Sequence, residues 1–377
     1  MFPPMPYLDW IVGRPAAATF DLGSSDLRRT ASSPPSETVP AVLDGIDDPP
    51  AETTLETQIA TRYGVSEDRV LVTAGATHAN LVAVATALGL ASDGPNTAES
   101  PEVLVERPGY QPLVRTPRAF GARVSRFARP ASEEYRLVPE RVSAAFDDEL
   151  ALVTVTNRHN PSGRLAPRET LAELAENVAD AGAYLLVDEV YAPFVSAEDG
   201  QETGPNDGPR PFGGVTAAGL PNTVVTGSLT KFYGLGGLKI GWLVGPTEFV
   251  ARARQALLHV PAVASPSRAL ARRALHNEAT LTEHARAMLA RNHDRLATFV
   301  AERSDLSGEV HDGSSYAFVS HDAADGDVVS AAAWDAGILV VPGRFFDDTA
   351  SFRLSLGRAP EEVGAGLDAF GAVLDEL

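Results

Sequence analysis

The sequence predicts an α/β fold: a large, mostly parallel-sheet domain with helices on both faces, plus a smaller α+β domain assembled from both chain ends. Three observations carry this reading. Strand-like apolar runs alternate with amphipathic helical patterns through the first two thirds of the chain. Chemically distinctive residues follow the carboxyl ends of several of those runs, where open α/β sheets bind ligands. Short strands separated by helices then return toward the C-terminus. The larger domain is expected over residues 45–261 and the smaller one over 1–44 and 262–377.

In chain order, Thr54–Tyr63 reads as a helix ended by Gly64, and Val70–Thr73 as a short strand. Thr77–Leu90 is an apolar helix opening just after Gly75. Val103–Glu106 is a strand, followed by Pro108-Gly109-Tyr110 and a short helix. Ala122–Phe127 and Ala151–Thr156 are strands, the second buried. A helix over Pro167–Asp180 leads into Ala183–Asp188, an apolar strand closed by an acid. Val224–Thr226 and Ile240–Val244 add two strands. The stretch from Ser265 to about Ser304 predicts one long helix or a kinked pair. Tyr316–Val319, Ile338–Val341 and Ser351–Leu356 supply the later strands. Ala91–Pro101 and Ser196–Pro211 read as solvent loops.

Composition narrows the function. Lys+Arg 31 against Asp+Glu 50 gives a formal charge of −19, which disfavours nucleic acid and anionic membrane surfaces. The absence of Cys excludes disulfides, thiolate metal sites and Cys nucleophiles. No run of 18 apolar residues occurs, and Met1–Trp10 lacks a basic leader region, so a cytoplasmic protein is expected. The basic residues are 29 Arg and only two Lys, Lys231 and Lys239. Acidic excess with Lys nearly absent points to a high-salt cytoplasm, with codon bias from a GC-rich genome as the other explanation. Under either, two retained lysines eight residues apart invite a chemical reading.

Taken singly, the candidate motifs are modest. Asp188-Glu189-Val190-Tyr191 places an acid at a strand end, a position that also suits a helix cap. Gly227-Ser228-Leu229-Thr230-Lys231 lacks the P-loop glycine spacing, so Lys231 reads as a candidate amine nucleophile toward carbonyls. Asn160-Pro161-Ser162-Gly163 is by itself a turn sequence. Gly75-Ala76-Thr77 joins a strand to a helix, where N–H groups attract phosphate. Together they supply what pyridoxal 5'-phosphate requires: a lysine for its aldehyde, an acid for the pyridine nitrogen, polar groups for the ring oxygen, and donors plus a cation for the phosphate.

The ordered set resembles the class I/II aminotransferases, the aspartate aminotransferase fold of pyridoxal-phosphate enzymes. The matching pieces are Gly75-Ala76-Thr77, Glu106-Arg107-Pro108-Gly109-Tyr110, Asn157 to Gly163, Asp188 to Tyr191, Ser228 to Lys231, Gly237 to Gly241 and Phe352-Arg353-Leu354. The resemblance implies that Lys231 bonds covalently to the cofactor and shuttles a proton between substrate and cofactor carbons. It implies that Asp188 pairs with the pyridine nitrogen, that Tyr191 and Asn160 bond the ring oxygen, and that Tyr110 stacks on the ring. Gly75, Ala76, Thr77, Ser228 and Lys239 would form the phosphate cradle, and Arg353 would fork onto the substrate carboxylate. The implied reaction is amino transfer from an amino acid to a 2-oxo acid in a homodimer.

Departures are visible. Lys239 stands where the family usually has Arg, Thr230 where it usually has Ser, and Asp48–Thr53 carries no Tyr to reach a partner subunit. His159 reads as a packing residue beside Asn160. A pyridoxal-phosphate decarboxylase, lyase or racemase of the same fold would need Lys231 and Asp188 equally. A ligand-sensing regulator would want a basic DNA-binding segment before Glu52, and a nucleotide-dependent dehydrogenase a Gly-x-Gly-x-x-Gly turn. Neither is found.

Overall fold

Apolar runs buried on both faces make most of the larger sheet in the computed structural model, which describes residues 3–28, 39–93, 100–195, 209–260 and 263–377. The chain opens with α1 (Pro6–Ile11), α2 (Arg14–Ala17) and β1 (Phe20–Asp21). Next come α3 (Leu55–Tyr63), β2 (Val70–Thr73), α4 (Ala76–Asp93), β3 (Glu102–Arg107), α5 (Gln111–Ala119), β4 (Arg123–Ala128) and α6 (Pro139–Ser143). The central part holds β5 (Leu150–Thr156), α7 (Arg168–Asp180), β6 (Tyr184–Asp188), β7 (Thr223–Ser228), β8 (Gly241–Val244) and α8 (Thr247–Leu257). Then follow α9 (Ser265–His276), α10 (Glu278–Glu302), β9 (Leu306–Ser307), β10 (Tyr316–His321) and α11 (Gly326–Asp335). The chain finishes with β11 (Ile338–Leu339), β12 (Val341–Pro342), β13 (Ser351–Ser355) and α12 (Pro360–Leu374).

The larger sheet has the order β2-β8-β7-β6-β5-β3-β4. β8 is antiparallel to both neighbours and every other pair is parallel. β2 therefore runs with the parallel strands, and the carboxyl ends of β2, β3, β5, β6 and β7 share one edge. Alternate strand residues feed two cores. Val153, Val155, Leu185 and Val187 pack with α3, α7 and α9 on one face. Leu152, Leu186, Val103 and Val105 pack with α4, α5 and α8 on the other. Burial on both faces explains why these strands read as unbroken apolar runs.

Local signals account for the helix ends. Thr54 caps α3 by accepting from the Thr57 N–H at 3.0 Å, and Gly64 closes it at φ +62°. The long helical stretch expected from Ser265 is a pair broken at Asn277, whose amide donates to Asp47 O and Arg273 O. α9 sends Ala271, Ala274 and Leu275 into the large-sheet core, while α10 crosses to the smaller sheet through Leu296 and Val300.

That second sheet is antiparallel, in the order β12-β13-β10-β9. β1 pairs in parallel with β11, and Leu22 joins the core formed by α10, α11, α12 and this sheet. The residue at which the sequence divides the domains, Pro261, lies outside the described residues, as do parts of both expected solvent loops. Among the described residues no helix is long and apolar enough to cross a membrane.

Candidate active site

A cavity of about 250 Å³ opens where the carboxyl ends of the strands meet the smaller sheet. It is lined by Gly75, Ala76 and Thr77 after β2, Tyr110 after β3, Asn160 after β5, and Asp188 and Tyr191 at and beyond the end of β6. Ser228 and Lys231 come from the end of β7, Lys239 from the turn before β8, and Arg353 from β13. The structure thus brings together every residue that the sequence marks for a cofactor or substrate. One polypeptide detail makes the junction possible: a Cβ on Gly241 would lie 2.4 Å from Gly75 C and 2.6 Å from Ala76 N. Only glycine lets β8 start so close to the mouth of α4.

Asp188 is 3% exposed. Asn80 Nδ2 donates to its Oδ2 at 2.8 Å, and the Val190 N–H donates to Oδ1 at 3.2 Å. Thr226 Oγ1 in turn donates to Asn80 Oδ1 at 2.7 Å, which fixes the amide's orientation. Burial raises the Asp188 pKa, while the two donors and the charge of Lys231 oppose that rise. Each oxygen keeps a free lone pair that can meet a protonated ring nitrogen.

Lys231 Nζ donates to Ser25 Oγ at 3.2 Å. Burial pushes its pKa down, but Tyr191, Asp26 and Tyr7 outweigh burial and hold it above the ordinary lysine value. Arg353 is 1% exposed and donates through one Nη to Asn160 Oδ1 at 2.7 Å. Its other Nη reaches Gly23 O at 3.2 Å and Tyr7 OH at 3.4 Å, and its buried Nε has no partner among the described residues. With Asn160 Oδ1 occupied, the Asn160 amide N–H₂ is left as a donor to the cavity. Thr77 and Lys239, which also line the cavity, are exposed, Thr77 in the first turn of the 18-residue α4.

Sequence reasoning missed several contributors. Asn80 lies one turn along α4 from Thr77, so i, i+3 spacing beside a phosphate-cradle candidate is the signal that could have found it. Tyr7, Ser25 and Asp26 come from an N-terminal stretch without periodicity, and no local pattern announces them. His159 is fully buried, with Nδ1 2.7 Å from Ser162 Oγ and Nε2 3.0 Å from Pro108 O, and it does not line the cavity. Among the described residues no group of three or more His, Cys, Asp or Glu is placed to hold a metal.

The model for "Aminotransferase class I and II" matches residues 43–370. The chain belongs to that family. It is therefore an aminotransferase, an enzyme acting on amino acids and oxo acids. An aspartate aminotransferase of Streptomyces avermitilis is 24% identical over 327 residues, covering 83% of this chain and 76% of the relative. A probable N-succinyldiaminopimelate aminotransferase of Mycobacterium tuberculosis is 29% identical over 280 residues, 72% of this chain and 65% of its own length. Among solved structures, a PLP-dependent aminotransferase from Streptococcus suis superposes with TM-score 0.80 at 20% identity, covering 100% of this chain and 98% of its own. An aspartate aminotransferase mutant from Thermus thermophilus gives TM-score 0.77 at 21% identity, covering 99% and 97%. The aminotransferase thus has the aspartate aminotransferase fold.

Proposed function

We propose that the cavity holds pyridoxal 5'-phosphate against Lys231, and that an amino group passes through it from an α-amino acid to a 2-oxo acid. The observation that carries this reading is the approach of the Lys231 amine and one buried carboxylate, Asp188, to a single cavity that is also lined by the Gly75-Ala76-Thr77 turn, Lys239 and the buried Arg353. The residues fit the cofactor and its substrate: Asp188 has lone pairs to spare, and Arg353 Nε is a buried donor without a partner among the described residues. Bound there, the cofactor supplies an aldehyde that a primary amine can join and a cationic ring that takes up the electron pair of a broken Cα–H bond.

Each side chain then has a defined task. Lys231 Nζ holds the cofactor and, once released, carries the proton to and from the substrate Cα. Asp188 keeps the ring nitrogen protonated, and Asn80 keeps Asp188 ionised. Tyr191 and the Asn160 amide donate to the ring oxygen, while Tyr110 covers a ring face. The Gly75-Ala76-Thr77 turn at the head of α4, with Ser228 and Lys239, grips the phosphate. Arg353 binds the substrate carboxylate, with Asn160 and Gly23 O holding the guanidinium in place.

The family supports a homodimer, and the acidic, Lys-poor composition supports a cytoplasmic setting. Light scattering on purified protein should give twice the chain mass, and fractionation of the producing cells should place the protein with the cytoplasmic proteins. The central experiment loads the protein with pyridoxal phosphate and adds single amino acids while following the visible absorbance. One donor should bleach the band by leaving pyridoxamine phosphate, and one 2-oxo acid should restore it. Lys231→Ala should abolish the cycle, and full turnover in that variant overturns the assignment.

A further inference from the structure

The short segment after β1 lies directly on Lys231. The Leu27 N–H donates to Lys231 O at 2.8 Å, and a Cβ on Gly234 would sit 2.1 Å from Leu27 O. This seating brings Ser25, 2% exposed, between two cavity groups: its Oγ is 3.2 Å from Lys231 Nζ and 2.6 Å from Tyr191 OH.

The direction of these bonds follows from donor counting. Charged groups facing Lys231 are Asp26 and Asp188, which attract its proton, and Arg353, which repels it, with the phenols of Tyr191 and Tyr7 close by. As an ammonium, Lys231 has three donors and no acceptor. Ser25 Oγ must therefore accept from it. The single Ser25 hydrogen is then free for the Tyr191 oxygen at 2.6 Å. Tyr191's own hydrogen is left to point away from Ser25, and Tyr191 lines the cavity. Hydrogen bonds arranged in one direction polarise one another, so each strengthens the next.

We propose that Ser25 is a positioning residue that turns the Tyr191 hydroxyl into a donor aimed into the cavity while Lys231 is a free ammonium. The aminotransferase would then present a ready donor to the cofactor's ring oxygen before Lys231 is consumed in bonding. The proposal rests on the reading of Lys231 as the cofactor-bearing lysine and adds a residue outside every motif that identified the site.

Two variants test it, Ser25→Ala and Ser25→Thr, each compared with wild type. Apoprotein is mixed with pyridoxal phosphate, and cofactor capture is timed by the visible band, with borohydride trapping and peptide mass mapping at Lys231. The pH midpoint of the bound-cofactor band is read separately. Ser25→Ala should capture the cofactor at least fivefold more slowly. Its midpoint should rise, because the Ser25–Tyr191 bond outlasts the ammonium once Lys231 is bonded, and without it Tyr191 donates more weakly to the anionic ring oxygen. Ser25→Thr keeps the hydroxyl and should restore most of both. Wild-type rate and midpoint in Ser25→Ala overturn the proposal, and so does equal impairment in both variants. Failure of wild type itself to carry the cofactor on Lys231 is a different result and sinks the underlying functional reading.

Discussion

Asp188 shows how a single charge is kept usable inside the core. Burial works against its ionised form, and two donors, the Asn80 amide and the Val190 N–H, work for it. Losing a hydrogen bond to a buried charged group costs about 1.5–3 kcal/mol. Asn80→Ala should therefore raise the Asp188 pKa further and weaken pyridoxal phosphate binding roughly 10- to 100-fold, measured by equilibrium titration of the visible band. Lys239 poses the opposite problem, since it is exposed and sits in the left-handed region at φ +52°. Lys239→Ala should weaken cofactor retention about tenfold at low salt, with the difference shrinking as salt rises. Lys239→Arg should retain the cofactor at least as well, because the fork suits phosphate. At this scale the sequence was informative wherever a residue followed a strand end. It was silent on Ser25 and Asp26, whose meaning depends on a tertiary contact between positions about two hundred residues apart.

The strand ends are tied together by a buried polar chain that crosses three elements. Glu106 on β3 accepts from the Thr156 N–H and hydroxyl of β5 at 2.7 and 2.6 Å, and from Arg129 beyond β4 at 2.7 Å. Thr156 Oγ1 then accepts from the Asn160 N–H at 2.9 Å, so the Asn160 turn inherits its position from Glu106. Arg129 is 1% exposed and Glu106 fully buried. Glu106→Gln leaves the guanidinium without its carboxylate and should lower stability by about 3–5 kcal/mol in denaturant unfolding. Pairing it with Arg129→Met should recover much of that loss, because the stranded charge is gone. Glu189 gives a pH signature. Burial pushes its carboxyl up to about 8, against the Ala217 N–H, the Thr216 hydroxyl and Arg168. Between the ordinary 4.5 and about 8 the folded chain holds a proton that the unfolded chain has released, so stability falls as pH rises through that window. Glu189→Gln should flatten that slope in melting temperatures recorded from pH 5 to 8.5. Among the elements, the inner strands of the large sheet were legible because burial on both faces leaves continuous apolar runs between turn residues. β1, β9 and β11 have two residues each, too few for any period to register, and β1 and β11 pair with each other from opposite ends of the chain.

Across the whole molecule the arrangement of sheets was readable, but the reason for the composition was left with two explanations that the fold does not separate. Thirty-one basic against fifty acidic residues leave a charge of −19. Some of the arginines are shared between two acids nearer the surface: Arg123 reaches both Asp147 and Glu149, and Arg303 both Asp305 and Asp375. Such pairs gain little individually in water and cannot cancel the excess of carboxylates. What remains is repulsion spread over the surface, and it weakens as the screening length falls from about 10 Å at 0.1 M salt to about 3 Å at 1 M. If the composition reflects a salty cytoplasm, the melting temperature in potassium chloride should climb by roughly 5 °C or more between those concentrations. Matched osmolality from a neutral solute should not reproduce the rise, which separates charge screening from exclusion of solute. The slope should also shrink when surface Asp and Glu far from the cavity, such as Asp294 and Glu302, are replaced by Asn and Gln. A melting temperature that stays flat to 1 M potassium chloride would mean that the folded chain tolerates its charge without salt, and would leave codon bias as the source of its arginines.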